Sequence, residues 1–163
     1  MVERALAGQA AASLRALSTE IDRLDQAAAD RYGLNRTDMR ALDIISAAGP
    51  LAPTDLARQL GFTTGGVTTV LDRLEHAGYI RRNPDPTDRR RLVVQTTEAA
   101  HARGQEVFGD LVQAATDLLA AYTDDQLAVI DDFLTRARQL TAAYAGTLSG
   151  RGSTRSRQPS AGG

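Results

Sequence analysis

Apolar residues recur every three or four positions along most of the chain, which predicts a mainly helical protein. The first stripe predicts a long helix over residues 3–31. Asn35 is placed to cap a second helix that runs to about Ala48. A short helix over residues 53–60 and a longer one over 64–77 follow. The inward positions are Leu14, Leu17, Ile21, Leu24 and Ala28, then Met39, Leu42 and Ile45, then Leu56, Ala57 and Leu60, then Val67, Val70, Leu71 and Leu74.

The periodicity changes after residue 78. Residues 79–91 contain a turn built from Asn, Pro and Asp, and the β-branched run 92–97 follows, so two short strands joined by a hairpin are predicted. Residues 81–91 carry five arginines and two aspartates, a net charge of +3, although the whole chain carries −1 and residues 98–146 carry −5. This concentration of positive charge indicates contact with a phosphate backbone.

Helical spacing resumes at Thr97 and predicts a helix to about Ala121. The run Thr123-Asp124-Asp125-Gln126 has the form of a capping box, which starts a last helix to about Tyr144. Residues 147–163 are rich in Ser, Gly and Arg without apolar periodicity, so they are predicted to be a disordered tail.

A short helix, a tight turn, a second helix and a two-stranded hairpin form the order of a winged helix-turn-helix. The predicted fold class is therefore mainly α with a small β-hairpin wing. In such folds the second helix enters the major groove of DNA. We place the winged helix-turn-helix at about 50–97 within a single domain over 1–146, with long N- and C-terminal helices at about 3–31 and 98–146.

The outer face of the second helix suits that task. It offers small or hydroxyl-bearing side chains and one arginine: Thr64, Gly65, Gly66, Thr68, Thr69 and Arg73. Each glycine costs about 1 kcal/mol of helix stability relative to alanine, so the pair indicates close approach of the backbone to another surface. The alternative is an ordinary surface helix, in which Arg73 pairs with Asp72 or Glu75; spacings of one and two residues disfavour those pairs.

Three motifs together resemble the multiple-antibiotic-resistance regulator (MarR) family of bacterial repressors. They are Val67-Thr68-Thr69-Val70-Leu71-Asp72-Arg73-Leu74-Glu75, then Gly78-Tyr79-Ile80-Arg81-Arg82, then Asp85-Pro86-Thr87-Asp88-Arg89-Arg90. The chain departs from the family at the strand-to-helix junction, where Thr96-Thr97 replaces Leu-Thr and Ala99-Ala100 replaces a glycine.

The resemblance implies a homodimer whose terminal helices interlock and whose two winged lobes read successive major grooves of a pseudo-palindrome. Apolar stripes on the first and last helices independently indicate a partner. The predicted contacts to double-stranded DNA are Thr63, Thr64, Gly65, Gly66, Thr68, Thr69, Arg73, Arg82, Arg89, Arg90 and Arg91. Asp88 is predicted to pair with Arg90 and brace the wing, which makes Arg89 and Arg91 the plainer phosphate contacts.

Family members commonly respond to small anionic or phenolic molecules, so an effector is a possible partner. Candidate pocket residues are Leu17, Ile21, Leu24, Met39, Arg40 and Phe108, although plain core is the favoured interpretation of each. The chain has no cysteine, which excludes thiol sensing. His76 and His101 are the only histidines, so we expect no metal, although a carboxylate-rich site with His101 stays an alternative.

Two other functions are weighed. A DNA-binding or architectural protein without a ligand, or an activator, would have the same fold. An enzyme is disfavoured because the sequence has no nucleophile–base pair and no phosphate loop, and no cofactor is expected. The chain has no membrane-length apolar run and no signal-peptide pattern, so we expect a cytoplasmic protein without membrane contact.

Overall fold

The structure, a computed structural model, describes residues 2–85, 87–88 and 90–152. Its elements follow the order α1 (Val2–Tyr32), α2 (Arg36–Ala48), α3 (Pro53–Leu60), α4 (Thr64–His76), β1 (Ile80–Pro84), β2 (Leu92–Thr96), α5 (Glu98–Leu119) and α6 (Asp124–Gly152). The predicted fold class, mainly helical with a two-stranded wing, is confirmed.

Local capping sets most of these boundaries. The Asn35 side chain accepts a hydrogen bond from the backbone N–H of Asp38 at 2.9 Å and starts α2. Gly61 has a φ of +72°, the left-handed conformation that ends α3 and allows the tight turn into α4. In the predicted capping box, the Thr123 N–H donates to Gln126 at 2.9 Å and the Gln126 N–H donates to the Thr123 hydroxyl at 3.4 Å.

The strands pair antiparallel, with Ile80 opposite Thr96 and Pro84 opposite Leu92. The backbone of Leu51 adds a further bridge to Val94, through hydrogen bonds of 2.9 and 2.8 Å. This bridge ties the wing to the segment just before α3. The lobe closes over one buried core, which includes Ile45, Leu56, Val67, Val70, Leu71, Leu74 and Val94.

The altered strand-to-helix junction still starts α5 where the sequence predicted. The Thr97 hydroxyl accepts from the Ala100 N–H at 3.2 Å and donates to the Gly78 carbonyl at 2.7 Å. Thr97 is therefore the cap of α5 and also links it to the end of the α4 turn. The departure from the family at 96–97 leaves the junction intact.

The chain divides into two compact units, Met1–Asp110 and Leu111–Gly163. The second contains the end of α5 and all of α6. Helix α6 continues to Gly152, beyond the predicted end near Tyr144, and so includes residues 147–152 of the segment predicted to be a tail. The rest of the predicted tail, 153–163, lies outside the described residues. None of the described helices combines the length and hydrophobicity needed to cross a membrane.

Candidate nucleic-acid interface

Helix α4 presents an exposed polar face opposite its buried one. Val67, Val70, Leu71 and Leu74 face the core, whereas residues 62–66, 68 and 69 are exposed. The Thr63 hydroxyl accepts from the Gly66 N–H at 3.2 Å and caps the helix. We call the accessible surface formed by residues 62–66, 68 and 69 the reading face, and it includes the predicted contacts Thr63, Thr64, Gly65, Gly66, Thr68 and Thr69.

The two glycines of the reading face differ in their surroundings. A Cβ at Gly65 would meet no other group within 4 Å, so nothing in the chain itself requires glycine there. A Cβ at Gly66 would lie 3.4 Å from the Thr63 hydroxyl oxygen and 3.7 Å from Cδ2 of Phe62, an ordinary contact. Close approach of a second molecule would explain why position 65 carries no side chain.

Arg73 does not belong to the reading face. Its Nε and Nη2 donate to Asp38 of α2 at 2.7 and 2.5 Å, and these hydrogen bonds raise the pKa of Arg73 above its usual value. Asp38 is 2% exposed, and Asn35 donates to the same carboxylate at 2.8 Å. The Arg73 guanidinium neutralises a buried charge on another helix while its side chain stays 45% exposed, and the DNA contact predicted for Arg73 stays a prediction.

Arg82 is held in a similar way. Its guanidinium donates to Glu75 at 2.8 Å and to Asp72 at 2.6 Å, both on α4. Two carboxylates neutralise this guanidinium, and the phosphate contact predicted for Arg82 stays a prediction. The pairing fixes strand β1 to α4, so helix and wing form one reading head.

The wing tip is organised mainly by Asp85. Its carboxylate accepts from the hydroxyl and the N–H of Thr87 at 2.6 and 2.7 Å, and these hydrogen bonds lower the pKa of Asp85. Asp88 does brace the wing, but it accepts from the backbone N–H of Arg90 at 3.1 Å and forms no ion pair with a guanidinium of the described residues. The predicted Asp88–Arg90 pair is therefore a backbone contact, which leaves the Arg90 side chain exposed.

Exposed arginines remain on the wing. Arg90 and Arg91 are exposed, and neither takes part in an ion pair within the described part of the chain. With the Gln95 amide oxygen facing β1, Arg81 donates to it at 2.6 and 2.7 Å across the strands. The predicted contact Arg89 lies outside the described residues.

The six predicted pocket residues do not meet in one cavity. Met39 and Phe108 line a cavity of about 370 Å³ at the end of α1, beside α2 and the start of α5. Arg40 lies with Met39 in a neighbouring cavity of about 280 Å³, and Leu24 in a third. Leu17 and Ile21 are 52% and 47% exposed on α1.

The cavities include an acidic residue, Asp43, that was not among the six predicted pocket residues. It lines the first two cavities together with Met39. Burial raises the pKa of its carboxyl, and the Asp25 carboxylate raises it further. His101 also lines the first cavity, where its Nε2 lies 2.9 Å from the Thr96 hydroxyl. Within the described residues, no cluster of three or more His, Cys, Asp or Glu has the arrangement of a metal site.

Sequence reasoning missed Asp38 and Asp85. Asp38 precedes Leu42 by four residues and Ile45 by seven, so an acidic residue occupied the apolar stripe of α2 and signalled a buried partner. Asp85 precedes Thr87 by two residues, the spacing of a side-chain-to-backbone turn.

Comparison with known proteins agrees with this geometry. The sequence profile of the MarR family matches residues 32–91. The HTH-type transcriptional regulator YcgE of Bacillus subtilis is 38% identical over 126 residues, which cover 77% of this chain and 82% of that protein. The multiple antibiotic resistance protein MarR of Salmonella typhimurium is 33% identical over 91 residues, which cover 51% of this chain and 63% of that protein.

A solved structure shares the fold. The crystal structure of Streptococcus pneumoniae FabT in complex with DNA aligns with a TM-score of 0.58 at 21% identity, covering 83% of this chain and 99% of that one. These relatives are transcriptional regulators and not enzymes, as the sequence predicted. The chain belongs to the MarR family and is a DNA-binding transcriptional regulator.

Proposed function

We propose that the protein is a homodimeric repressor that binds a pseudo-palindromic operator and is released by a small phenolic effector. The observation that carries the proposal is the reading face of α4, residues 62–66, 68 and 69, fixed by Arg82 to a wing whose Arg90 and Arg91 are exposed. A helix in the major groove and basic groups beside it are what sequence-specific binding of this kind requires. The protein then acts in the cytoplasm, where its DNA lies.

Two features support a dimer. In the first unit, α1 exposes Leu6, Leu17, Ile21 and Leu24 at 40–60%. In the second unit, the exposed large hydrophobic residues include Leu118, Val129, Phe133, Leu134, Leu140 and Tyr144. Apolar surface on this scale is covered by a partner in soluble proteins, and a two-fold dimer places two reading heads on a pseudo-palindrome. DNA binding by such a fold has separate support, because FabT, a protein of the same fold, was crystallised in complex with DNA.

The cavity of about 370 Å³ is the proposed effector site. Its lining offers the aromatic rings of Tyr32 and Phe108, the hydrogen-bonding groups of Ser46 and His101, and the carboxyl of Asp43. The described lining contains the carboxyl of Asp43 and no arginine. We therefore expect an uncharged phenol to bind there more tightly than an anion. An effector here would contact α2, the helix that holds Arg73 of α4 through Asp38.

The operator is the first test. A random DNA duplex pool is selected on the purified protein, and the enriched sequence is measured by fluorescence anisotropy at several salt concentrations. We expect an inverted repeat with half-sites about one helical turn apart, bound roughly 10³-fold or more tighter than random DNA. Equal affinity for selected and random DNA would identify an architectural protein instead.

The effector is tested on the same complex. The protein–operator complex is titrated with neutral phenols and with benzoate anions. We expect the phenols to dissociate the complex at lower concentrations than the anions do. If saturating amounts of both classes leave the DNA affinity and the thermal unfolding midpoint unchanged, the protein binds DNA without a ligand. Whether operator binding lowers or raises transcription is read from a reporter gene, and an increase would make it an activator.

A further inference from the structure

The reading face contains an exposed aromatic ring. Phe62 is 41% exposed in the turn between Gly61 and the α4 cap Thr63. The ring lies beside Gly66, since a Cβ at position 66 would be 3.7 Å from its Cδ2 atom. Its backbone is fixed by the hydrogen bond of its N–H to the Ala57 carbonyl at 2.9 Å. An apolar group is thus held at the end of the helix that enters the major groove in this class of fold.

The hydroxyls of Thr68 and Thr69 on the reading face donate within the helix. Thr68 donates to the Thr64 carbonyl at 3.0 Å, and Thr69 donates to the Gly65 carbonyl at 3.4 Å. A hydroxyl has one hydrogen to donate, so in this conformation each side chain offers its methyl group and only acceptor lone pairs to a second molecule.

The usual base-reading side chains are absent from this segment. Residues 62–69 read Phe-Thr-Thr-Gly-Gly-Val-Thr-Thr, without arginine, lysine, asparagine or glutamine. Arg73 is bound to Asp38. Guanine is usually read by arginine or lysine and adenine by asparagine or glutamine, whereas the C5 methyl group of thymine is read by apolar contact.

We propose that the reading face recognises its half-site through the C5 methyl groups of thymine, with Phe62 and the methyl groups of Thr68 and Thr69 as the contacts. The inference rests on the proposed function, in which α4 enters the major groove. It specifies the chemistry of the operator: each half-site has thymine bases under α4, and the methyl groups carry the discrimination.

Removal of the methyl groups from the DNA is the direct test. In the selected operator, each thymidine is replaced in turn by deoxyuridine, which keeps base pairing and loses only the methyl group. We expect about a fourfold loss of affinity for each contacted methyl, from the transfer free energy of one such group. In Phe62→Ala, one of these positions should become insensitive to the replacement, while the others keep their penalty.

Two substitutions of one residue separate methyl from hydroxyl. Thr69→Val keeps a methyl group and removes the hydroxyl, and Thr69→Ser does the reverse. We expect Thr69→Val to retain operator affinity and Thr69→Ser to lose about fourfold. In Thr69→Ser, and not in Thr69→Val, one thymidine position should become insensitive to replacement by deoxyuridine. Thermal unfolding of both variants is the control for helix stability.

The outcomes distinguish this inference from the proposed function. If no sequence is enriched, the proposed function fails. If an operator is enriched but deoxyuridine is silent at every position, or Phe62→Ala and Thr69→Ser keep every penalty of the wild type, specific binding stands and the thymine-methyl inference is overturned.

Discussion

At the scale of single residues, the charged positions of α4 hold the lobe together. Asp72 and Glu75 bind Arg82 of β1, and Arg73 binds Asp38 of α2. Three neighbouring residues of one helix therefore connect it to a second helix and to a strand. Within the motif Val67–Glu75, the charged residues Asp72, Arg73 and Glu75 orient the reading face, whereas Thr68 and Thr69 are part of that face.

Replacing Arg73 with alanine tests this assignment. The variant leaves the Asp38 carboxylate buried with Asn35 as its remaining side-chain partner, so we expect a loss of about 1–3 kcal/mol in the free energy of unfolding. The salt dependence of DNA binding should stay as in the wild type wherever the variant is folded. Urea unfolding and anisotropy titrations measure the two effects.

The second member of that pair supplies the control. Asp38→Leu with Arg73→Leu removes both charges and should recover part of the lost stability. A phosphate-contacting Arg73 would give the opposite pattern, with an unchanged urea midpoint and a salt slope reduced by about one.

Asp43 gives a prediction that depends on pH. Burial raises the pKa of Asp43 above the ordinary value of 3.8, so the folded state binds this proton more tightly than the unfolded state. The folded state is therefore penalised as pH rises through the raised pKa. Asp43→Asn should unfold at higher urea concentration than wild type at pH 7, and the difference should vanish below pH 3.8.

At the scale of elements, the arginines of the wing differ in the groups that they contact. Arg82 is bound by α4, Arg81 contacts Gln95 across the hairpin, and Arg90 and Arg91 are exposed near the tip. The tip keeps its shape through Asp85 and Asp88, which accept hydrogen bonds from backbone N–H groups. Arg82 is thus neutralised at the base of the wing, Arg81 keeps its charge beside a neutral amide, and Arg90 and Arg91 place exposed positive charge near the tip.

Arg90→Ala should therefore weaken binding to all DNA sequences and lower the salt slope by about one, since one phosphate contact is lost. Because the Arg90 side chain is exposed and its wing contact comes from its backbone, the urea midpoint should not move. Arg136→Ala on α6 removes the same charge from a residue paired with Asp132 and should leave the slope unchanged. A lowered urea midpoint in Arg90→Ala would show that its side chain supports the wing instead.

Sequence reasoning succeeded for elements whose signals are local. Asn35, Thr63 and the Thr123–Gln126 box cap helices within three residues of themselves, so each start was predictable. The partner of Arg73 was not, because Asp38 is 35 residues away and only the folded core brings the two together. The six pocket candidates do not line one cavity for the same reason, because the periodicity of a helix does not determine which other element its apolar face contacts.

At the scale of the whole molecule, each unit has an apolar surface that its own residues leave open. In the first unit this surface follows α1, where Leu17, Ile21 and Leu24 are spaced by three and four residues. In the second it follows α6, where Leu140 is 73% and Tyr144 64% exposed. Stable dimers bury about 1,200–2,000 Å² of total surface. Long helices of 31 and 29 residues can supply contacts on that scale.

Leu140→Glu tests the proposed dimer through α6. A carboxylate at this position would be desolvated in a helical interface, so we expect a shift from dimer to monomer in light scattering and a loss of operator affinity, because two linked reading heads become independent. Gln139→Glu introduces the same charge at the adjacent position, which lies on a different side of the helix, and should remain dimeric. Circular dichroism should show equal helix content in both variants. A wild-type protein that is monomeric at micromolar concentration, or a Leu140→Glu variant with unchanged mass and affinity, would contradict a dimer built on this face.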